Sequence, residues 1–241
     1  MRPLVLVLHP SIRARAYLQR CLGEGVRPDA VVRLGHDADD QAAWRWERPV
    51  DRTFDPHESL RETIERHELH ELRVPAADVN DPEVARIVAA LEPELVVFTG
   101  GGILRPETLE SAPRWLHVHP GRLPDRRGST CIHYGLLLDG VIEASAMLMR
   151  PGLDDGPVLH RRRFAPRPDW DPARLDDVED AALRARVLVE TLVRWDDLQP
   201  RSQVGARRTF YVIHPALKSI ALGVAREAAR EAGTSLEAKS T

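Results

Sequence analysis

The chain has little cysteine: Cys21 and Cys131 are the two thiols in 241 residues. Two thiols indicate no disulfide framework, and each reads as a small core hydrophobe of a reducing compartment. Long apolar runs are missing too. The N-terminal run Leu4–Leu8 is five residues, too short for a signal-peptide core or a membrane span. Neither sign of charge is in excess, since 34 basic residues against 37 acidic ones leave a formal net charge of -3. Without a basic field, nucleic acid and anionic membrane are disfavoured as partners. There are no internal repeats. No G-x-G-x-x-G follows the first strand, which argues against a dinucleotide site there. These absences leave a cytoplasmic enzyme as the expectation. Its 43% hydrophobic residues suffice for a real core, and its length suits one α/β domain with an appendage.

The elements follow from pattern. Residues 4–8 form a continuous apolar run, as in a strand buried on both faces. Ser11 caps a helix to about Leu22, and residues 30–34 give a second strand, a βαβ opening. Residues 36–57 lack a period and read as a long loop or irregular insertion. A helix over 58–70 and a short strand over 72–74 follow. Asn80-Asp81-Pro82-Glu83 is a helix start by capping residue, early proline and acid. Strands are expected at 94–98, 115–119, 144–149 and 158–164, and helices at 106–112, 130–138 and 176–195. Residues 199–208 are polar and linker-like. Residues 211–213 suggest an edge strand, 215–232 a last helix, and 233–241 a frayed tail.

Ligands of open α/β sheets sit at the carboxyl ends of strands. Two such ends carry unusual chemistry. Thr99-Gly100-Gly101-Gly102 offers bare backbone for close approach, or is simply a tight turn. His117-Val118-His119-Pro120-Gly121-Arg122-Leu123-Pro124 places two histidines on one strand face ahead of a loop stiffened by prolines. Downstream, Leu153-Asp154-Asp155-Gly156-Pro157 is an acidic turn. A carboxylate beside a histidine fixes its tautomer and supports acid–base chemistry. Ser129 or Thr130 is expected to cap the next helix. His133 and Tyr134 read as helix packing near the site, and Cys131 as inert. Arg161-Arg162-Arg163 reads as a solvated strand edge, although it has the look of a phosphate clamp.

These stretches resemble the folate-dependent formyltransferases, whose pattern is Asn-x-His-Pro-Ser-x-Leu-Pro, then Arg-Gly, then Leu-Asp-x-Gly-Pro. Here it stands as His117 to Pro124, Arg127-Gly128 and Leu153 to Pro157. Asn80 to Val84, Glu92 to Val97 and Arg186-Val187 also fit, so the resemblance covers residues 1–198. It implies a three-layer Rossmann-like fold, a mostly parallel central sheet flanked by helices, with a short C-terminal extension over 199–241. It implies formyl transfer from 10-formyltetrahydrofolate, the donor substrate, to an amine. His119 matches the family's catalytic histidine and Asp154 its aspartate. Gly101, Gly102, Ile103, Leu104 and Met149, with Asp154, match the donor pocket. His117 departs from the family, replacing an asparagine that supports the formyl oxygen, and is taken as an alternative donor of the catalytic set. Gly121 replaces the serine.

A small-molecule amine acceptor is expected. The members acting on methionyl-tRNA carry a further C-terminal β-barrel, whereas here residues 199–241 follow the core. The phosphate-binding glycines of the glycinamide ribonucleotide enzymes are absent after the first strand. Residues 211–218 suit an apolar cover, a homodimer contact or an acceptor element equally. Three other readings remain: a formyltetrahydrofolate hydrolase or related acyl-type transfer; a His117/His119/Asp154 metal site, against the main expectation of no metal; and a catalytically silent binding module.

Overall fold

A computed structural model of the chain describes residues 3–36, 54–166, 174–205 and 208–237. The irregular stretch expected at 36–57 falls largely outside them. The central sheet has seven strands. They are β1 (Leu4–Leu8), β2 (Ala30–Leu34), β3 (Glu71–Val74), β4 (Leu95–Phe98), β5 (Trp115–His119), β7 (Ile142–Leu148) and β8 (Val158–Phe164), in the order β3-β2-β1-β4-β5-β7-β8. The first five run parallel, and β7 and β8 are antiparallel. This is the expected mostly parallel, three-layer Rossmann-like fold. A small parallel pair, β6 (Arg126–Gly128) with β9 (Arg208–Phe210), stands apart from it.

The strands are apolar throughout because both faces are covered. Leu4, Leu6, Leu8, Leu95, Val97, Leu116 and Val118 enter the larger core with α1 (Ile12–Gly23), α5 (Cys131–Asp139) and α6 (Asp180–Val193). Val5, Val7, Val32, Val96, Phe98 and Trp115 enter the smaller one with α3 (Pro82–Ala90). Helix starts follow local chemistry. Ser11 Oγ accepts the Ala14 amide, Ser59 forms a capping box with Glu62 at the start of α2 (Leu60–Arg66), and Asp81 caps α3 ahead of Pro82.

Several expected boundaries shift. The helix at 58–70 shortens to α2, and the one at 106–112 to the single turn α4 (Pro106–Leu109). The long helix at 176–195 begins as a π turn over Leu175–Glu179. Thr130 sits at the start of α5, but its hydroxyl makes no cap. It accepts from the Ile213 amide at 2.9 Å and donates to the Tyr211 carbonyl at 3.3 Å. The edge strand expected at 211–213 instead lies at 208–210, and it pairs with β6, outside the central sheet. The last helix, α7 (Pro215–Glu237), continues through part of the stretch expected to fray.

Residues after the π turn and α6 are tied to the rest of the fold by side chains as well as by β9. His133, fully buried on α5, is bonded through Nε2 to Asp176, and Lys218 of α7 pairs with the same carboxylate. The His133 bond and Lys218 hold the Asp176 carboxyl down at about 2. Tyr134 packs against Phe210 with ring centroids 4.5 Å apart.

Candidate active site

Strand β5 alternates. Leu116 and Val118 enter the larger core, and His117 and His119 take the intervening positions at its carboxyl end. The site lies where β5, the segment after β4 and the acidic turn between β7 and β8 converge. His119 is 2% exposed. Its Nε2 lies 2.9 Å from the Arg126 carbonyl, and its Nδ1 lies 3.4 Å from Asp154 Oδ2. The acidic turn therefore meets the histidine, as expected. Asp154 adopts a left-handed backbone, φ 46°, which aspartate tolerates better than most residues. Its Oδ2 also accepts the Gly128 amide at 2.8 Å.

A carbonyl only accepts, so the Arg126 contact assigns the His119 proton to Nε2. Nδ1 then turns a lone pair toward a carboxylate oxygen. That acceptor–acceptor contact is relieved when a proton enters between the two groups, which is the property a proton-accepting pair needs. Burial pulls His119 below the ordinary imidazole value, while the Asp154 charge pulls it back up.

His117 is engaged differently. Nδ1 lies 3.3 Å from the Phe98 carbonyl, and Nε2 lies 3.3 Å from Arg184 Nη2. Arginine only donates, so Nε2 accepts and Nδ1 carries the proton. Both ring nitrogens of the residue expected to support a formyl oxygen are thus committed within the protein. Burial first, then Arg184 and Arg13, hold His117 well below its ordinary value, so the ring is neutral and does not repel a protonated His119. The same geometry counters the metal reading, because Nε2 faces a guanidinium. Among the described residues no three histidine, cysteine or acidic side chains are gathered to hold a metal ion.

A proton excluded from the folded state has a measurable consequence. Below 6.5 the unfolded chain protonates at residue 117 and the folded chain does not, so stability present above that pH is lost as pH falls. The slope is up to about 1.4 kcal/mol per pH unit for such a group. His117→Asn removes that share. Urea midpoints on either side of pH 6.5 should lie closer together in the variant than in the parent protein.

Residues not expected at the site complete the arrangement. Arg184, 3% exposed on α6, bonds Asp180 at 3.1 Å as well as His117. Arg13 donates from Nη1 to the Thr99 carbonyl at 3.0 Å and the Gly100 carbonyl at 3.3 Å; burial and the nearby Arg184 lower it to about 10. Asn80 holds the glycine-rich segment, donating to the Ile103 carbonyl at 3.1 Å and accepting the Arg105 amide at 2.7 Å. Gln203 comes from the stretch that reads as linker. Its Nε2 donates to the carbonyls of Asp154 at 2.9 Å and Gly156 at 2.7 Å, and its Oε1 accepts from Arg127 at 2.8 Å. A single glutamine in a polar stretch gives no signal in sequence. The pairing of Arg184 with His117 is equally silent, because it spans 67 positions.

The expected donor-pocket residues divide by exposure. Gly101, Gly102 and Ile103 are exposed and Leu104 is buried in the smaller core. A Cβ at Gly101 or Gly102 would meet nothing within 4 Å, and Gly102 has φ +104°, so open space lies over this backbone. Met149 is half-buried against the same core, its amide bonded to the Trp115 carbonyl at 2.7 Å. Gly121 is packed close to the histidine. A Cβ there would stand 2.8 Å from both His119 Nε2 and Cys131 Cβ, so the glycine replacing the family's serine leaves no room for that serine. Cys131 is buried and burial pushes its thiol up to about 12, as suits an inert residue.

Fold and site define an α/β protein of formyltransferase architecture, with a buried His–Asp contact at the carboxyl end of its central strands. No family model matches the chain. Over 120 residues it is 40% identical to a methionyl-tRNA formyltransferase of Heliobacterium modesticaldum, a match covering 48% of this chain and 37% of that protein. The matched part is thus well under half of that relative. Among solved structures, glycinamide ribonucleotide transformylase 1 from Symbiobacterium toebii superposes with a TM-score of 0.58 at 17% identity, over 86% of this chain and 95% of that one. A sugar N-formyltransferase from a Shewanella species gives 0.57 at 16% identity, over 92% and 87%. At such identities the structures attest the fold alone. The sequence match and the shared fold together support a formyltransferase family for this chain. Among the described residues no helix is long and apolar enough to cross a membrane.

Proposed function

We propose that this chain transfers a formyl group from 10-formyltetrahydrofolate to the amine of a small-molecule acceptor. The observation that carries the reading is the approach of His119 Nδ1 to Asp154 Oδ2 at 3.4 Å, with Nε2 tied to the Arg126 carbonyl. Attack by an amine on a formyl carbon releases a proton, and this pair can receive it and return it to the leaving nitrogen. The donor's fit rests on the open backbone at Gly101 and Gly102, edged by exposed Ile103 and by Met149 over the Leu104 core. The donor supplies the activated formyl carbon; binding and orientation fall to these residues. His117 reaches a formyl oxygen only by giving up the Phe98 carbonyl. In the arrangement seen, it positions Arg184 and keeps a neutral ring beside His119.

The test is incubation with 10-formyltetrahydrofolate, with and without a panel of small amines, following tetrahydrofolate and formylated product. Release of tetrahydrofolate is expected to depend on the amine. Formate release at the same rate without amine would replace transfer by hydrolysis. No consumption of the donor under any condition would overturn the reading.

A further inference from the structure

Where β8 meets the end of α6, away from the His119–Asp154 pair, lies a cavity of about 530 Å³. That volume is in the range of sites that take small organic ligands. Its lining includes Arg161 from β8, Arg194 just past α6, and Arg201. Its floor is apolar, with Val158 and Leu159 buried and Leu198 half-buried.

The local charge balance differs from that of the whole chain. Among the described residues, none of the three rim guanidiniums is paired with a carboxylate. Glu190 on α6 is already shared by His160 at 3.1 Å, Arg186 at 3.2 Å and Arg162. Asp197 is the one carboxylate in the lining, which leaves the rim two positive charges in excess. The arginines also have a fixed frame. The Arg201 backbone is bonded both ways to Val158, with the two N–H to carbonyl distances at 2.9 Å. Arg161 stands on a strand paired through β7.

We propose that this cavity binds a phosphorylated small organic molecule. Guanidinium forks match phosphate oxygens geometrically and carry their charge at every relevant pH. The phosphate would lie on Arg194 and Arg201, and the carbon body on Val158, Leu159 and Leu198, with Asp197 accepting from a hydroxyl. This site is separate from the proposed formyl-transfer site and does not depend on that reading.

The test is calorimetric titration of the full chain with ribose 5-phosphate, AMP and inorganic diphosphate. The first two separate a sugar phosphate from a nucleotide, and the third reads the charge alone. Saturable binding of at least one phosphate ester, tighter than diphosphate, is expected. The double variant R194Q/R201Q should weaken it at least tenfold with an unchanged melting temperature, since both side chains are exposed. If that variant fails to fold, Arg194→Gln alone tests the same rim. No saturable binding of any probe would overturn the proposal, and so would equal affinity in the arginine variants. Binding lost in His119→Ala but kept in R194Q/R201Q would place the anion in the catalytic cleft and also overturn it.

Discussion

Asp154→Asn is expected to lower formyl transfer by about 10²–10⁴-fold, the usual range for losing a positioned acid–base group, with little change in stability. The substitution is nearly isosteric, and an asparagine oxygen can still accept the Gly128 amide that Oδ2 accepts at 2.8 Å. What changes is the charge. The Gly128 amide keeps an oxygen in that place, so a neutral amide oxygen, not a carboxylate, faces His119 Nδ1 at the 3.4 Å position. The pair then loses the charge that favours a proton on the imidazole. His119→Ala should produce a loss of the same order, but with some destabilisation, because it empties a 2% exposed position. Single-turnover rates of formyl transfer, read beside melting curves, separate the two effects. A parental rate in Asp154→Asn would remove the pair from the chemistry. The pH profile gives a second check. A base acts in its neutral form, and burial lowers His119 below 6.5. The rate should therefore hold its plateau below pH 6.5 and fall only at more acid values.

The fold was readable because its strands are buried on both faces. Runs such as Leu4–Leu8 and Leu95–Phe98 declare themselves without an alternating pattern, and helix starts such as Asp81-Pro82 carry their own local chemistry. The His119–Asp154 contact was readable as a motif, since strand end and acidic turn each stand out. Less visible were contacts between distant positions whose residue types mean little alone. Gln203 reads as linker because its role exists only once the Asp154 and Gly156 carbonyls face it. Arg184 carries no mark within the helix expected at 176–195 until α6 lays it against His117. Thr130 reads as a cap, but Tyr211 and Ile213 compete for its hydroxyl and win. The strand expected at 211–213 shifts to 208–210 because β6 presents free edge groups to Arg208–Phe210.

Gly156→Ala is expected to be among the most damaging single-methyl changes in the chain, and Gly101→Ala among the least. A Cβ at Gly156 would stand 1.6 Å from the Leu148 carbonyl oxygen and 2.8 Å from its carbon. Both are backbone atoms of β7, so no side chain can swing aside. The turn must lift away from the strand instead. Lifting breaks the Leu148 amide bond to the Pro157 carbonyl, 2.9 Å, and strains the Gln203 bond to Gly156, 2.7 Å. Overpacking of this kind costs about 1–3 kcal/mol or more, and in a protein of this size each kcal/mol lowers the melting temperature by roughly 2–4 °C. The larger effect falls on catalysis. Asp154 lies two residues before the glycine, and a displacement near 1 Å at a reacting group costs on the order of 10²-fold in rate. At Gly101 the added methyl meets nothing within 4 Å, so that variant should melt with the parent protein and lose only affinity for the donor. Melting curves and donor KM measured on both variants test the pair of expectations together. A Gly156→Ala protein with parental melting and rate would show that the acidic turn does not rest on Leu148. The rigid placement of Asp154 would then need another source.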